Sequence, residues 1–294
     1  MNRTLFAADC LDILNDSAVI PDASVDLIYL DPPFNSNSKY NLPFKGKDKN
    51  HKPVEAFVDI WKWSDQDAEA LDDMQRDPRT RPLATIIKFA QGIELMSGVQ
   101  GKGTSLASYL LNMATRLRAM RRLLRSTGSI YLHCDSYASH YLKLVMDTVF
   151  GISNFKSEII WHRSRGFKRK TARQFPQKSD TILFYSKSRK EAVFNTQYKP
   201  HKPEYIRRFK RDESGRLYRD DVNPTGGGRR TIYLDETVGD IIDSVWNDIP
   251  PLNSNARERL GYPTQKPLAL LERIIRAPAT RRHARSCRSH RRGR

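Results

Sequence analysis

Apolar and polar positions fall in blocks along the chain, and the blocks predict alternating strands and helices. The run Val25-Asp26-Leu27-Ile28-Tyr29-Leu30 is rich in branched and aromatic residues and predicts a buried strand. It stops at Asp31-Pro32-Pro33-Phe34. Two prolines cannot continue a ladder, so Asp31 ends the strand with a stiff turn behind it. Ahead of that strand, Asp9-Cys10-Leu11-Asp12-Ile13-Leu14 leads into a helix start. From Leu106 to Leu124 the apolar positions 106, 110, 113, 117, 120, 123 and 124 follow helical spacing. Gly128 closes that unit, and Ser129–Cys134 reads as a second strand. Tyr141–Phe150 predicts a helix, and Glu158–Trp161 and Thr181–Tyr185 predict strands around a basic loop. Leu268–Arg276 carries apolar residues at 268, 270, 271, 274 and 275, again a helix. Such alternation predicts an α/β sheet covered on both faces. Ligands bind such sheets at the carboxyl ends of strands, where Asp31 and His133-Cys134-Asp135 both fall.

Two regions break the alternation. Residues 35–105 are polar, contain Trp61 and Trp63, and read as a long insertion around one or two helices. Residues 187–245 are charged, carry Gly226-Gly227-Gly228, and read as a loop-rich module. No internal repeat is present. At 294 residues with 38% apolar composition, the chain can bury a real core as one large domain or two small ones.

Charge changes this picture most. The net charge is +18, and residues 161–230 alone hold 20 Lys/Arg against 7 Asp/Glu. Residues 277–294 add seven Arg and no acid, so the remaining body is close to neutral. Within the basic segment Trp161, Phe167, Phe175, Tyr205, Phe209 and Tyr218 alternate with the cations. Lys and Arg neutralise phosphates while aromatic faces stack on bases, so this segment predicts a nucleic-acid partner. Neither an apolar leader nor a run of about 18 apolar residues is found, so no membrane segment is expected. Cys10, Cys134 and Cys287 lie too far apart for a disulfide framework or zinc cluster, which points to a cytoplasmic setting and no metal.

The sharpest chemical signal is Asp31-Pro32-Pro33-Phe34. An exocyclic amine on a base is a poor nucleophile because its lone pair is delocalised into the ring. A carboxylate and the carbonyl of the first proline can accept both amine hydrogens, which frees that lone pair. The aromatic can stack on a base swung out of the helix, offsetting an unstacking cost of about a few kcal/mol. The two prolines hold this geometry in advance.

The run from Val25 to Ser36 resembles the catalytic motif of amino-methylating DNA methyltransferases, which modify adenine N6 or cytosine N4. The order of the parts resembles the β group, with the catalytic motif first and the S-adenosylmethionine motif last. Asp9-Cys10 resembles the segment that contacts the cofactor's adenosine. Gly128–Asp135, then Val149-Phe150-Gly151 with Asn154-Phe155 and Glu158–Trp161, resemble the next core segments. Tyr262-Pro263-Thr264-Gln265-Lys266-Pro267 resembles the turn beside the cofactor's methionine end. The resemblance covers about residues 1–276 and implies a Rossmann-like α/β methyltransferase sheet. It implies a core over 1–186, a basic target-recognition region over 187–245, and a cofactor-side turn and helix over 246–276. By the same resemblance Asp31, Pro32, Pro33 and Phe34 are catalytic. Asp9, Cys10, Asp31, Phe34, Thr264, Gln265 and Lys266 are the cofactor-binding candidates. The implied activity is methylation of adenine N6 in double-stranded DNA. A homodimer and a restriction-system partner are further expectations.

The chain departs from the family pattern after Ile275-Arg276, where a strand ending in a glycine-rich cofactor turn is due. The cluster Gly98–Gly103 follows no strand, misses the Walker A spacing and reads as a loop. Residues 277–294 therefore read as an out-of-frame ending that leaves the sheet incomplete, the alternative being a genuine basic arm. Cytosine N4 is the chemical rival, and a non-catalytic DNA-binding remnant is the rival of another class. His133-Cys134-Asp135 is not expected to bind metal, because adjacent strand residues alternate direction. Trp61-Lys62-Trp63 reads as local packing, and Arg229-Arg230 as either a phosphate contact or a solvated loop. Sequencing the gene beyond the codon for Ile275 should reveal a glycine-rich motif in another frame; its absence overturns the frame-shift reading.

Overall fold

The computed structural model describes residues 4–6, 8–35, 38–42, 54–98, 105–163, 173, 175–222, 226–253, 255–260 and 264–278. Its elements, in chain order, begin with α1 (Cys10–Asn15), β1 (Val25–Leu30), β2 (Ser38–Leu42) and β3 (Val54–Asp59). Then come α2 (Asp65–Arg76), α3 (Arg81–Met96), α4 (Leu106–Leu123), β4 (Leu124–Cys134) and α5 (Ser139–Phe150). They continue with β5 (Phe155–His162), β6 (Ser179–Ser186), β7 (Tyr198–Lys199), α6 (Pro203–Ile206), β8 (Lys210–Arg211) and β9 (Leu217–Val222). The last are β10 (Arg229–Tyr233), β11 (Asp240–Ile241), β12 (Val245–Trp246) and α7 (Leu268–Arg276). The chain divides into two units, residues 1–194 with 244–294 and residues 195–243.

The larger unit is mixed α/β, in keeping with the alternation. Its sheet has the order β1-β4-β6-β5-β12. β1 runs parallel to β4, with Leu30 opposite Leu132. β6 runs antiparallel to both β4 and β5, pairing Cys134 and Ile160 with Thr181. The two strands expected around a basic loop are therefore hydrogen-bonded neighbours. This arrangement fixes which ends meet. The carboxyl ends of β1, β4 and β5 and the amino end of β6 all lie along one edge of the sheet.

Helix α4 anchors the core. Ser105 caps it by accepting the Ser108 N–H, and Arg121 and Arg122 in its last turn complement the helix dipole. Leu110, Leu117 and Ala114 are fully buried, and α3 and α5 pack against it. The helical spacing ends one residue earlier than read, because Leu124 already begins β4. Tyr185 of β6 donates to Asp147 of α5 at 2.7 Å, and Lys143 holds the same carboxylate at 2.7 and 2.8 Å. The polar insertion contains the helices α2 and α3 and the antiparallel pair β2–β3. Ser64 and Asp67 form a reciprocal capping box at the start of α2. Trp61 packs edge-on against Tyr109 at 5.5 Å, which is the packing role read for that segment.

The smaller unit has a three-stranded antiparallel sheet, β10-β9-β8, and the pair β11-β7. Its sparse apolar content is supplemented by cation–ring contacts. Arg216 lies 3.9 Å from the Tyr233 ring centroid, and Arg219 lies 4.8 Å from that of Tyr205. Gly226, Gly227 and Gly228 all take positive φ just ahead of the exposed Arg229 and Arg230. This unit holds ten Lys/Arg and nine Asp/Glu, so it is nearly neutral. The positive charge is concentrated instead in residues 163–178, between β5 and β6, with seven Lys/Arg and no acid. Among the described residues, no helix is long and apolar enough to cross a membrane.

Candidate active site

β1 delivers Asp31 to the shared sheet edge, and the turn after it is braced from beneath. Asp59, fully buried at the end of β3, accepts the Phe34 N–H at 3.1 Å and the Asn35 N–H at 2.9 Å. The same carboxylate accepts the Trp61 indole N–H at 3.0 Å. Asn35 sits at φ 62°, a left-handed conformation that asparagine tolerates better than most side chains. The stiff prolines and this carboxylate together fix where Phe34 points.

The Asp31 carboxylate is engaged by Lys266, whose ammonium donates to its two oxygens at 2.8 and 2.7 Å. The Lys266 nitrogen also stands 5.3 Å from the Phe34 ring centroid. Both side chains keep some solvent contact, 12% exposed for Lys266 and 24% for Asp31.

Two cavities meet at these residues. The larger, about 620 Å³, is lined by Ala8, Asp9, Cys10, Asp31, Pro32, Pro33, Phe34, Arg116, Thr264 and Lys266. The smaller, about 310 Å³, is lined by Phe34, Trp161, Arg163, Asp180, Pro251, Leu252, Arg259, Thr264, Gln265 and Lys266. Phe34, Thr264 and Lys266 belong to both walls. A third cavity, about 730 Å³, lies among Arg118, Arg121, Arg122 and Lys187 at the opposite end of the sheet and shares no residue with these two.

In the larger cavity Asp9 caps α1 through the Leu11 N–H at 2.8 Å, and its two oxygens accept from Arg116 Nη2 at 2.8 and 2.9 Å. The Leu11 N–H, with the Arg116 charge adding to it, lowers the Asp9 carboxyl below its usual range. Arg116 also reaches the Cys10 sulfur at 3.2 Å. At the other side, Trp161 donates to the Ile249 carbonyl at 2.9 Å, and Arg273 of α7 pairs with Asp248. These contacts hold the segment that carries Thr264 and Lys266 against the sheet.

The structure thus gathers Asp9, Cys10, Asp31, Pro32, Pro33, Phe34, Thr264 and Lys266 around one cavity. Gln265 does not join them. Its amide is spent on the Glu258 carbonyl and the Leu260 N–H, at 2.7 and 2.8 Å, and it borders the smaller cavity. Tyr262 and Pro263 of the turn motif, and residues 279–294 of the tail, lie outside the described residues.

Cys134 is fully buried, and burial pushes its thiol far above the usual range, which leaves it without thiolate character. Asp135 accepts the Tyr137 and Ala138 N–H groups at 3.0 and 2.9 Å and starts the turn into α5. His133 lies beneath Phe34, with ring centroids 5.7 Å apart and planes at 24°. Asp59, Arg116 and Asp180 have no motif to mark them. Asp180 alone left a trace, a carboxylate leading into the apolar run Thr181–Tyr185.

A DNA methylase family model (N6_N4_Mtase) matches residues 25–282, most of the chain. The chain belongs to the DNA methylase family. This family member is 26% identical over 255 residues to the type III restriction-modification enzyme StyLTI Mod subunit of Salmonella typhimurium, covering 83% of this chain and 34% of the relative. It is 25% identical over 192 residues to the EcoP15I Mod subunit of Escherichia coli, covering 64% and 25%. The chain therefore spans about a third or less of these relatives. Among solved structures it aligns with the M1.HpyAVI–SAM complex at TM-score 0.39 and 15% identity, over 94% of this chain and 76% of that one.

The brace beneath the methylase turn generates a prediction. Asp59→Ala removes the acceptor of three donors, one of them buried, and should cost about 1–3 kcal/mol in denaturant melts, against a smaller loss for Asp59→Asn. Equal, near-zero losses for both would remove Asp59 from this role.

Proposed function

We propose that this DNA methylase family chain transfers a methyl group from S-adenosylmethionine to adenine N6 in double-stranded DNA. The observation that carries the reading is the meeting of two cavities at Phe34, Thr264 and Lys266, with Asp31 on the wall of the larger. One is large enough for a cofactor and the other suits a single base, and a transferred group would cross only the shared wall.

The donor set of the larger cavity fits the cofactor. Asp9 offers carboxylate oxygens to the hydroxyls and amine of an adenosine, with Cys10 beside it. Lys266 offers an ammonium to the carboxylate of a methionine group. When bound, the cofactor supplies an electrophilic methyl on sulfur.

The chain's own residues supply the rest. Asp31 and the Pro32 carbonyl accept the two amine hydrogens and return the lone pair to nitrogen. Phe34 stacks on the base, with Trp161 as a second aromatic wall of the pocket. Lys266 fills both Asp31 oxygens, so amine and ammonium compete for the same carboxylate. Asp31 accepts the base only when Lys266 turns toward the cofactor's own carboxylate. Adenine is favoured over cytosine because N4-methylating members of the family more often carry serine where this chain has Asp31.

In sequence, residues 163–178 carry seven Lys/Arg and no acid, a composition suited to phosphates. Residues 195–243, nearly neutral and with Arg229 and Arg230 exposed, suit target recognition rather than bulk phosphate binding. The likeness to Mod subunits supports a restriction-system partner and a cytoplasmic setting.

The test uses labelled S-adenosylmethionine, unmethylated duplex DNA of mixed sequence and digestion to nucleosides. Label in N6-methyladenine is expected, with Asp31→Ala reducing it about 10²–10⁴-fold. Label in N4-methylcytosine, or none, overturns the reading. Lys266→Met should instead weaken cofactor binding about tenfold or more, measured by calorimetry. Unchanged affinity would remove Lys266 from the cofactor site.

A further inference from the structure

His133 is the one fully buried imidazole at the shared sheet edge, and nothing in the reaction above uses it. Both its nitrogens are engaged. Nδ1 lies 2.8 Å from the Tyr29 hydroxyl, and Nε2 lies 3.0 Å from Asp180 Oδ2. Asp180 is 3% exposed, and its other oxygen pairs with Arg163 at 2.7 Å. The partners come from β1 and β6, with Arg163 just past β5. On one face of the imidazole lies Phe34, and Trp161 meets it edge-on at 5.8 Å and 90°.

The proton positions follow from this chemistry. A carboxylate paired with Arg163 can only accept, so His133 donates from Nε2. In the neutral imidazole Nδ1 then keeps a lone pair, which accepts the Tyr29 O–H. Burial, with the charges of Asp31 and Asp180 adding, raises the Tyr29 hydroxyl far above its usual range, so it keeps the proton it donates. The chain of donors runs one way, from Tyr29 through His133 to Asp180. An imidazole held at both nitrogens cannot rotate about its bond to Cβ, so its plane is fixed.

We propose that His133 is a positioning residue for methyl transfer, a flat, hydrogen-bonded platform that sets the plane of Phe34 and through it the plane of the stacked base. The inference rests on the functional reading above. Phe34 is a wall of both cavities, and His133 supports the face turned away from the base. Asp59 fixes the Phe34 backbone from one side, and His133 fixes its ring from the other. A ring free to tilt would still bind a base by contact but would misplace its amine relative to Asp31, a loss felt in turnover more than in binding.

The experiment compares wild type with Tyr29→Phe, His133→Gln and His133→Leu. It measures kcat and KM for DNA, cofactor affinity, Tm and, by NMR, the imidazole nitrogen shifts and the Phe34 ring-flip rate. The wild type should show a neutral imidazole protonated at Nε2 and a slowly flipping Phe34. Tyr29→Phe should mix the tautomers, speed the ring flip and lower kcat about ten- to a hundredfold, with KM and cofactor affinity within about twofold. His133→Gln, whose amide can donate to Asp180 and accept from Tyr29, should recover much of the rate that His133→Leu loses. The proposal is overturned by an unchanged ring-flip rate in both Tyr29→Phe and His133→Leu. It is equally overturned if kcat losses simply track losses in Tm, or if the glutamine variant is no better than the leucine one. A wild type that transfers no methyl group overturns the functional reading alone, because tautomer and ring-flip rate judge the platform without turnover.

Discussion

Strand direction is the constraint on which the rest depends. β1 and β4 are parallel, so Leu30 and Leu132 sit side by side and both strands empty onto one edge. β6 lies antiparallel between β4 and β5, so its start, not its end, reaches that edge. Asp31, His133, Trp161 and Asp180, separated by up to about 150 residues in sequence, therefore stand within reach of one another. Had β6 run the other way, Asp180 would lie at the far end of the sheet and His133 would keep a buried nitrogen without its carboxylate. Such a group costs about 1–3 kcal/mol when left unpaired.

That geometry explains why the sequence was legible in some places and silent in others. Val25–Leu30 followed by two prolines carries its own punctuation, so the strand and its terminal carboxylate could be read from local pattern alone. Leu106–Leu123 was equally plain, because a helix with one wide apolar face repeats its signal over five turns. The site's supports were not legible, and the reason is physical. Asp59 belongs to a region whose composition is polar throughout, and a buried carboxylate differs from a solvated one only in its tertiary surroundings. Arg116 is one of several arginines on α4, and nothing local distinguishes the one that clasps Asp9. His133 stands in a triplet that strand alternation speaks against as a metal site, and local sequence names none of its partners, which arrive from three other strands or their ends. Composition also misplaced the charge. A window over residues 161–230 is strongly basic, but the structural boundary at residue 195 divides it into a cationic connection and a nearly neutral module.

The turn after β1 is held by complementary means on its two sides. Its backbone amides are fixed by a carboxylate, which offers strong directional acceptors to groups that would otherwise be buried unsatisfied. Its aromatic ring is supported by another flat ring, which offers little directional force but a large contact face. Neither device alone defines the position of Phe34. Hydrogen bonds to the amides leave the ring free to turn about its own torsions, and stacking leaves the backbone free to slide. Proline at 32 and 33 removes most of the remaining freedom, since its φ is set before folding begins. The outcome is a wall between two cavities whose orientation does not depend on either being filled.

Asp31 presents the opposite problem, because the proposed function asks it to accept a substrate, which a permanently satisfied carboxylate cannot do. Its partner Lys266 is held close to both oxygens yet remains partly solvated, as does Asp31 itself. Solvent screening keeps such a pair worth far less than a buried one, so opening it carries a modest cost. A fully buried pair would lock the carboxylate, since removing one partner there leaves an uncompensated charge. No partner at all would leave the carboxylate free to rotate and to hold water instead. The intermediate burial of Lys266 gives a carboxylate that is oriented beforehand and still releasable. It also places the Lys266 cation on the wall shared by both cavities, where an anion in the larger one would compete with Asp31 for it.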